Sequence, residues 1–166
     1  MSAIIVINEK SNYFLGIGGS NHDFSACLLK DGRIITAIES ERINRTKHSL
    51  DIFSPINSAL KYIFPQSRVK VREISSSDIL NLGHWREYKN KINLFNHHLC
   101  HASSCFFTSP FRESAIFVCD GIGSYKHLNN GYEHETYSFY LAKNRDIKFL
   151  CGNKGFINLD SRINCN

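Results

Sequence analysis

Apolar runs near the start of the chain predict three consecutive β-strands. The runs are Tyr13–Gly18, Phe24–Lys30 and Ile34–Glu39. Residues 18–21 predict a glycine-rich loop between the first two strands. Asp31-Gly32 lies between the second and third, and such a pair favours a tight hairpin because both positions tolerate positive φ. The pattern therefore predicts an antiparallel three-stranded meander, preceded by an extension over residues 1–12.

The middle of the chain gives a weaker pattern. Apolar residues at helical spacing follow Ser54-Pro55, and proline favours the first position of a helix. Residues 66–77 are polar and predict a loop, with a short strand at 77–82. A second polar stretch, 83–91, is also expected to be a loop. Ile92–Phe95 then predicts a strand that leads into the next helix.

The stretch from residue 97 to 107 predicts a helix that displays two histidines together. Asn96 is a favourable N-cap residue, and Pro110 follows the expected end of the helix. His97 and His101 are four residues apart, which places them on one helical face with Cβ atoms about 6 Å apart. Two imidazoles at this spacing can bind one metal ion, although a histidine pair on a half-buried helix also often only packs or caps.

A carboxylate follows the next apolar run. Residues 114–119 predict a short strand that ends at Asp120, directly before Gly121-Ile122-Gly123. In α/β folds, ligands bind at the carboxyl ends of buried strands. His97, His101 and Asp120 therefore form a candidate metal site, because two histidines and a carboxylate suit Fe(II), Mn(II) or Zn(II).

The remainder predicts a polar loop, a hairpin and an irregular end. We expect a loop over 124–131, paired strands at 136–142 and 147–150, and an irregular tail over 152–166. The first three strands and the strand at 114–119 are expected to form one sheet, with Ile116 and Val118 buried. No internal repeat is visible in the sequence.

Composition narrows the function classes. The chain has 166 residues, 6 cysteines and a net charge of +5. Lysines and arginines are spread along it, which supports nucleic-acid binding only weakly. No two cysteines form a Cys-x-x-Cys pair, and we interpret them as reduced core residues. No apolar run approaches the roughly 20 residues of a membrane span. These features predict a cytoplasmic protein of mixed α/β fold without a membrane partner.

The segment around the histidines resembles a known family. Its sequence, HHLCHASSCFFTSPFRESAIFVCDGIG, is similar to the signature of the antibiotic- and nodulation-type O-carbamoyltransferases, HHxxHAxSAF-x-SPF followed by an apolar strand and DG-x-G. The resemblance implies that His97, His101 and Asp120 are metal ligands and that His98 is not. Glu135-Thr136-Tyr137-Ser138 further resembles the family's ETTS segment.

The opening of the chain continues the resemblance. LGIGGSNHDFSACLLKDGRIITAIESERINRTKH is similar to the family's first strands with their HD and KH pairs. The resemblance implies catalytic roles for His22, Asp23 and Lys47. It also implies phosphate or nucleotide binding by the glycine-rich loops, through Gly18, Gly19, Ser20, Gly121 and Gly123. By themselves, without the resemblance, these residues are more typical of a turn, a strand start and a solvated basic loop than of a catalytic site. The family's Glu-Glu is replaced here by Ser40-Glu41.

The resemblance implies a ribonuclease-H-like, actin-like ATPase domain, with a mixed sheet, an antiparallel three-stranded meander and flanking helices. Its expected chemistry is carbamoyl transfer from carbamoyl-adenylate, made from carbamoyl phosphate and ATP, to a hydroxyl of a small molecule in natural product biosynthesis. Family members are much longer, so we expect residues 13–151 to be one lobe, inactive alone. Either a partner chain supplies the second lobe, or the chain is a truncated gene product. The alternatives are a non-catalytic metal- or nucleotide-binding subunit and a role like that of the tRNA threonylcarbamoyl-transfer enzymes.

Overall fold

The fold is taken from a computed structural model, which describes residues 4–19, 23–49, 51, 54–58, 68–80 and 90–158. The chain divides into two compact units, and the boundary lies between Leu94 and Phe95. No helix within these described ranges has the length and apolar character needed to cross a membrane. Each unit is built around its own β-sheet, and the two are described separately.

The first unit is rich in strands. Its elements are β1 (Ile4–Ile7), β2 (Tyr13–Gly18), β3 (Ser25–Lys30), β4 (Arg33–Glu39), α1 (Ser40–Asn44), helical residues 54–58 (α2), β5 (Arg68–Val71), β6 (Glu73–Ser77) and β7 (Ile92–Phe95), which reaches the boundary. The predicted meander is confirmed, because β2 pairs antiparallel with β3 and β3 pairs antiparallel with β4. Helix α1 was not predicted.

A mixed five-stranded sheet forms the centre of this unit. Its strand order is β4-β3-β2-β6-β7, and β6 runs parallel to β2. Alternate residues of the central strands face a buried core that includes Leu15, Leu28 and Ile74. Phe24 belongs to the same core, and its ring lies where a Cβ on Gly19 would stand. The glycine at this turn, with φ of +134°, is therefore required both sterically and conformationally.

Strand β6 corrects the sequence prediction for residues 66–82. The loop expected at 66–77 contains β5 and β6, and the strand expected at 77–82 is interrupted by a turn directly after Ser77. Residues 66–67 and 81–82 of these expectations lie outside the described residues. The sequence Glu-Ile-Ser-Ser-Ser has one apolar residue, so its alternation was not visible. Its inward positions are Ile74 and Ser76, and the Ser76 hydroxyl donates a hydrogen bond to the Ile17 carbonyl at 2.7 Å. A buried serine that is satisfied in this way can occupy a core position.

The expected N-terminal extension also contains regular structure. Strand β1 pairs in parallel with β5 to form a separate two-stranded sheet. The side chain of Ile5 is buried in the core of the first unit. Residues of the expected extension therefore contribute to the packing of this unit.

Within its described residues, 95–158, the second unit contains one helix and a four-stranded antiparallel sheet. Its elements are α3 (His97–Phe107), β8 (Glu113–Cys119), β9 (Tyr125–Leu128), β10 (Gly131–Lys143) and β11 (Asp146–Asn158). The order is β11-β10-β8, with β9 also paired to β10. Helix α3 packs on one face of this sheet through Ala102, which is buried with Val118 and Tyr140.

This sheet repeats the plan of the first meander. In both units three strands pair antiparallel in succession, with a glycine-containing loop and an aspartate after the first strand. The expectation that Ile116 and Val118 share one sheet with β2–β4 is therefore wrong, because they belong to the second sheet. A repeat of topology without repeated residues explains why the sequence showed none.

Two further expectations for this unit are corrected. Residues 152–158, predicted as irregular, continue β11, and the loop predicted at 124–131 contains β9. Long hydrogen-bonded pairing with β10 makes both segments regular despite their polar composition. The five cysteines within the described residues are not core residues: Cys105, Cys119 and Cys151 are exposed, and Cys27 and Cys100 are half-buried. The sixth, Cys165, lies outside those residues. All five are free thiols.

We expect Leu28→Ala to destabilise the first unit by about 2–5 kcal/mol, because it removes a fully buried side chain and leaves a cavity. The matched control is Ile34→Ala on the neighbouring strand, where the side chain is 54% exposed and the expected change is within about 0.5 kcal/mol. Urea denaturation followed by circular dichroism measures both. Equal effects of the two substitutions would contradict the described core.

Candidate metal centre

Helix α3 begins as the sequence predicted. The Asn96 side chain accepts a hydrogen bond from the Leu99 backbone N–H at 2.9 Å, which caps the first turn. The helix then presents His97 and His101 on one face. The side chain of His98, the residue directly after His97, does not share this face and is completely buried.

Strand β8 places the third residue of the set. Its pairing with β10 continues past its end, where the Asp120 backbone N–H donates to the Thr136 carbonyl at 3.1 Å. The Gly121 N–H in turn donates to the Asp120 carboxylate at 2.6 Å. These bonds hold the carboxylate at the start of the glycine-containing loop.

The three predicted ligands converge. His97 Nε2 lies 2.7 Å from Asp120 Oδ2 and 3.0 Å from His101 Nε2. His101 Nε2 lies 3.6 Å from the same carboxylate oxygen. The predicted convergence is thus present in the structure, with one donor atom from each residue within 4.8 Å of the others.

The spacing of these donor atoms fits a metal ion. Ligand atoms that share one ion at 2.0–2.2 Å lie roughly 3–3.5 Å from each other. The observed separations of 2.7, 3.0 and 3.6 Å lie close to this range. The donor set itself, two imidazoles and a carboxylate, suits a divalent transition metal and leaves coordination positions open.

The three candidate ligands differ in exposure, and the site is open to solvent on the side of His101. The side chain of His97 is 15% exposed, that of Asp120 33% and that of His101 50%. Burial raises the pKa of the Asp120 carboxyl, but hydrogen bonds from His97 and from the Gly121 N–H, with the charges of both imidazoles, outweigh it. The pKa of Asp120 therefore lies below its ordinary value, and the group is an anion at neutral pH.

His98 has a different environment from the candidate ligands. Its Nδ1 lies 2.7 Å from the Ser138 hydroxyl, and its buried Nε2 has no hydrogen-bond partner among the described residues. Burial lowers the pKa of His98, although the nearby Glu135 carboxylate raises it in part. The ring is therefore neutral at pH 7 and belongs to the packing between α3 and the sheet.

The glycines after Asp120 differ in their surroundings. A Cβ on Gly123 would lie 2.5 Å from His98 Nε2 and 2.9 Å from the Glu135 Cβ, whereas a Cβ on Gly121 would meet nothing within 4 Å. The Gly123 N–H donates to the Glu135 carbonyl at 2.8 Å. Gly123 is therefore needed for close packing of the loop, and its predicted role in cofactor binding stays a prediction, as does that of Gly121.

The residues predicted from the HD and KH pairs lie in the first unit. Gly18 ends β2, Gly19 forms the turn, and Lys47 is exposed; Ser20 and His22 lie outside the described residues. Asp23 does have a neighbour that the sequence analysis left out of the site: both of its carboxylate oxygens face Nδ1 of His48, at 3.1 and 3.3 Å. The signal was available, because His48 belongs to the KH pair.

Backbone conformation at this Asp–His pair is unusual. Asp23 has φ of 55° and His48 has φ of 54°, values that few residues other than glycine adopt. Asp23 and His48 are therefore in contact within the first unit while both have left-handed backbone conformations. A single cleft that joins these residues to the metal candidates stays a prediction, since the two groups belong to different units.

Comparison with known families agrees with the sequence resemblance. Residues 66–144 match the family described as "Carbamoyltransferase N-terminus". The matched segment includes all three candidate metal ligands and the loop after Asp120, but not the HD and KH pairs. The resemblance to the N-terminal part of the carbamoyltransferases is thereby confirmed.

Curated relatives are longer than this chain. The chain is 26% identical over 162 residues to the uncharacterized protein sll1178 of Synechocystis, covering 68% of the chain and 26% of that protein. It is 27% identical to the nodulation protein NolNO of Sinorhizobium fredii over 63% of the chain and 20% of that protein. The uncharacterized protein MJ1058 of Methanocaldococcus jannaschii is 32% identical over 39% of the chain and 11% of that protein. The chain therefore spans about a quarter or less of these relatives.

Solved structures support the fold. YeaZ from Pseudomonas aeruginosa matches with a TM-score of 0.51 at 10% identity, over 89% of this chain and 68% of that one. A second structure, of an uncharacterized protein with similarity to peptidase YeaZ, has the same TM-score at 12% identity, over 89% of this chain and 67% of that one. At these identities the likeness concerns the fold alone, and it confirms the predicted actin-like α/β class.

We expect Gly123→Ala to destabilise the protein by about 1–3 kcal/mol, because the added methyl collides with buried groups of α3 and β10. Gly121→Ala is the matched control, two residues away in the same loop, with open space around the new methyl. Thermal unfolding of the two variants gives the comparison. A melting temperature for Gly123→Ala equal to that of Gly121→Ala would contradict the packing described here.

Proposed function

We propose that this chain, which resembles the N-terminal part of the carbamoyltransferases, carries the metal-binding part of an O-carbamoyltransferase site. In this proposal His97, His101 and Asp120 bind a divalent ion, Fe(II) in the first instance, with Mn(II) and Zn(II) as alternatives. The observation that carries it is the convergence of these three side chains within the segment that matches the family. The reaction is transfer of a carbamoyl group from carbamoyl-adenylate to a hydroxyl of a small molecule.

A metal ion bound there would neutralise phosphate charge and orient the adenylate. The chain's own residues prepare the position. The Asp120 carboxylate, an anion at neutral pH, lies beside the two imidazoles, so the site offers a cation one negative charge and two nitrogen ligands. The half-exposed His101 forms the open side, from which a phosphate oxygen can approach. Catalytic metal sites characteristically keep such an open position.

The exposed basic loop of the first unit is proposed to act on the transferred group. Lys47 would stabilise negative charge on the carbamoyl group or the phosphate, as charged donors do in acyl-transfer sites. His22 is the proposed general base that accepts the proton of the acceptor hydroxyl. Asp23 holds the adjacent His48 side chain and so orders the turn next to Lys47. Gly18, Gly19 and Ser20 would contribute backbone N–H groups to phosphate binding.

Carbamoyl phosphate and ATP are the proposed source of the adenylate. Because the chain spans at most 26% of the curated relatives, this activity and its acceptor are proposals for the whole reaction rather than for these residues alone. A chain that binds metal and nucleotide but yields no O-carbamoylated product would instead support a binding role without turnover.

We expect the purified protein to bind Mn(II) or Fe(II), and His101→Ala to weaken binding at least about 100-fold, because it removes one of three protein ligands. Isothermal titration calorimetry under anaerobic conditions measures the affinity. His127→Ala is the control, since His127 is an exposed histidine on β9 outside the cluster. Similar affinities of the two variants would contradict the proposed metal site.

A second expectation concerns Lys47. Its replacement by alanine should weaken binding of a non-hydrolysable carbamoyl-adenylate analogue about 10- to 100-fold, which corresponds to the loss of a charged hydrogen-bond donor. Lys10→Ala, at another exposed lysine of the first unit, should leave the affinity unchanged. Fluorescence titration with the labelled analogue distinguishes the two. Equal affinities would exclude Lys47 from the proposed phosphate end of the site.

A further inference from the structure

The start of helix α3 is held by polar side chains from outside the helix. The Asn96 amide nitrogen donates to both carboxylate oxygens of Glu135, at 2.9 and 2.8 Å, and to the Ser124 hydroxyl at 2.9 Å. The backbone N–H of His97 donates to the same hydroxyl, also at 2.9 Å. His97, the most buried of the three candidate ligands, is thus anchored through its own backbone and through its neighbour Asn96.

Glu135 is a central member of this group. It lies on β10, and its side chain is only 21% exposed. Among the described residues no lysine or arginine lies within ion-pair distance of its carboxylate, and Lys154 on the paired strand acts on it only at longer range. The first turn of α3, His97 to Cys100, contains no acidic residue. The Glu135 carboxylate therefore supplies a negative charge near the N-terminus of α3, where it interacts favourably with the positive end of the helix dipole.

The backbone of Glu135 fixes the other half of the metal site. Its carbonyl accepts from the Gly123 N–H at 2.8 Å, and its own N–H donates to the Ser124 carbonyl at 3.0 Å. The next residue, Thr136, accepts from the Asp120 N–H. The loop that carries Asp120 is therefore pinned at both ends to the same two residues of β10.

We propose that Glu135 is a positioning residue for the metal site, which holds the helix of His97 and His101 in register with the loop of Asp120. Its side chain binds the helix cap, and its backbone binds the loop. Glu135 is not among the converging donor atoms, so it acts through Asn96 rather than on the ion. This inference depends on the proposed function, because it concerns the same metal.

The geometry explains why this contact matters for metal binding in particular. His97 and His101 lie on one short helix, so a tilt at its first turn moves both imidazoles together relative to Asp120. The three donor atoms lie within 4.8 Å of one another, and a ligand set tolerates only small displacements. Loss of the Asn96–Glu135 contact should therefore reduce the metal affinity more than it reduces the stability of the fold.

The test exchanges the two groups that form the contact. Asn96→Asp keeps a side chain that caps helices as well as asparagine does, but removes the donor and places two carboxylates together. The double variant Asn96→Asp with Glu135→Gln restores a donor and an acceptor in reversed order. Glu133→Gln is the control, two residues earlier on β10, where the carboxylate pairs with Lys154 at the surface. Glu135→Ala removes the contact completely.

Co(II) serves as the probe, with its affinity measured by calorimetry and its coordination by visible absorption. Circular dichroism of each metal-free variant fixes a temperature at which it is folded. We expect Asn96→Asp and Glu135→Ala to bind Co(II) about 10- to 100-fold more weakly, with an altered spectrum, as for other outer-shell groups. The double variant should bind Co(II) with an affinity within about threefold of that of the original protein. Glu133→Gln should bind Co(II) as tightly as the original protein does.

The outcomes separate the two proposals. If the original protein does not bind Co(II), the proposed metal site itself is contradicted. If it binds and Asn96→Asp binds equally, with the same spectrum, the positioning role alone is overturned. If Glu135→Ala does not fold, the comparison of Asn96→Asp with the double variant is the test. A Co(II) affinity restored in the double variant supports the positioning role, and an affinity that is not restored overturns it.

Discussion

The pairing of β10 with its neighbours is the constraint on which the candidate metal centre depends. One edge of β10 pairs with β8 and also binds the residues that follow β8, so that Asp120 has a fixed position at the end of β8. From the same strand, Glu135 and Ser138 reach the first turn of α3. A helix of this length is marginal on its own in water, and here tertiary contacts determine where it lies. The metal candidates converge because one strand holds both of the elements that carry them.

Close packing adds a second requirement at the same place. His98 fills the space beside Gly123, and its neutral, buried ring couples the helix to the loop by shape rather than by charge. The two neighbouring histidines thus have different tasks. His97 turns toward the carboxylate and the open side, while His98 turns into the protein. Their assignment follows from the helical angle of about 100° between consecutive residues.

The parts that were predictable from the sequence are those in which local signals agree. Asn96, the histidine spacing and Pro110 define α3, and Asp31-Gly32 defines a hairpin within the first meander. Convergence with Asp120 was inferred from the position of a carboxylate after a strand. In contrast, β6 is polar because Ser76 replaces an apolar residue and bonds to the neighbouring backbone. Its pairing with β2 is long-range, so no local pattern shows it. The same holds for residues 152–158, which are regular only because β10 extends alongside them.

The repeated meander could not be seen in the sequence for the same reason. Each unit has an aspartate in a glycine-containing loop after the first strand of its meander, but the residues around these loops differ. Pairing order is a property of the whole sheet, whereas sequence similarity depends on side chains. The contact between Asp23 and His48 likewise joins residues that are 25 positions apart. It becomes visible only in the folded structure, in which both residues have left-handed backbone conformations.

The most direct test of the central claim is anomalous X-ray diffraction from crystals of this protein grown with Mn(II). The account predicts one strong anomalous peak within coordination distance of His97 Nε2, His101 Nε2 and Asp120 Oδ2. The hydrogen bond between His97 and Asp120, 2.7 Å in the structure described here, should then be replaced by two bonds to the ion. A map with that hydrogen bond intact and the anomalous peak elsewhere, or with no peak, would contradict it.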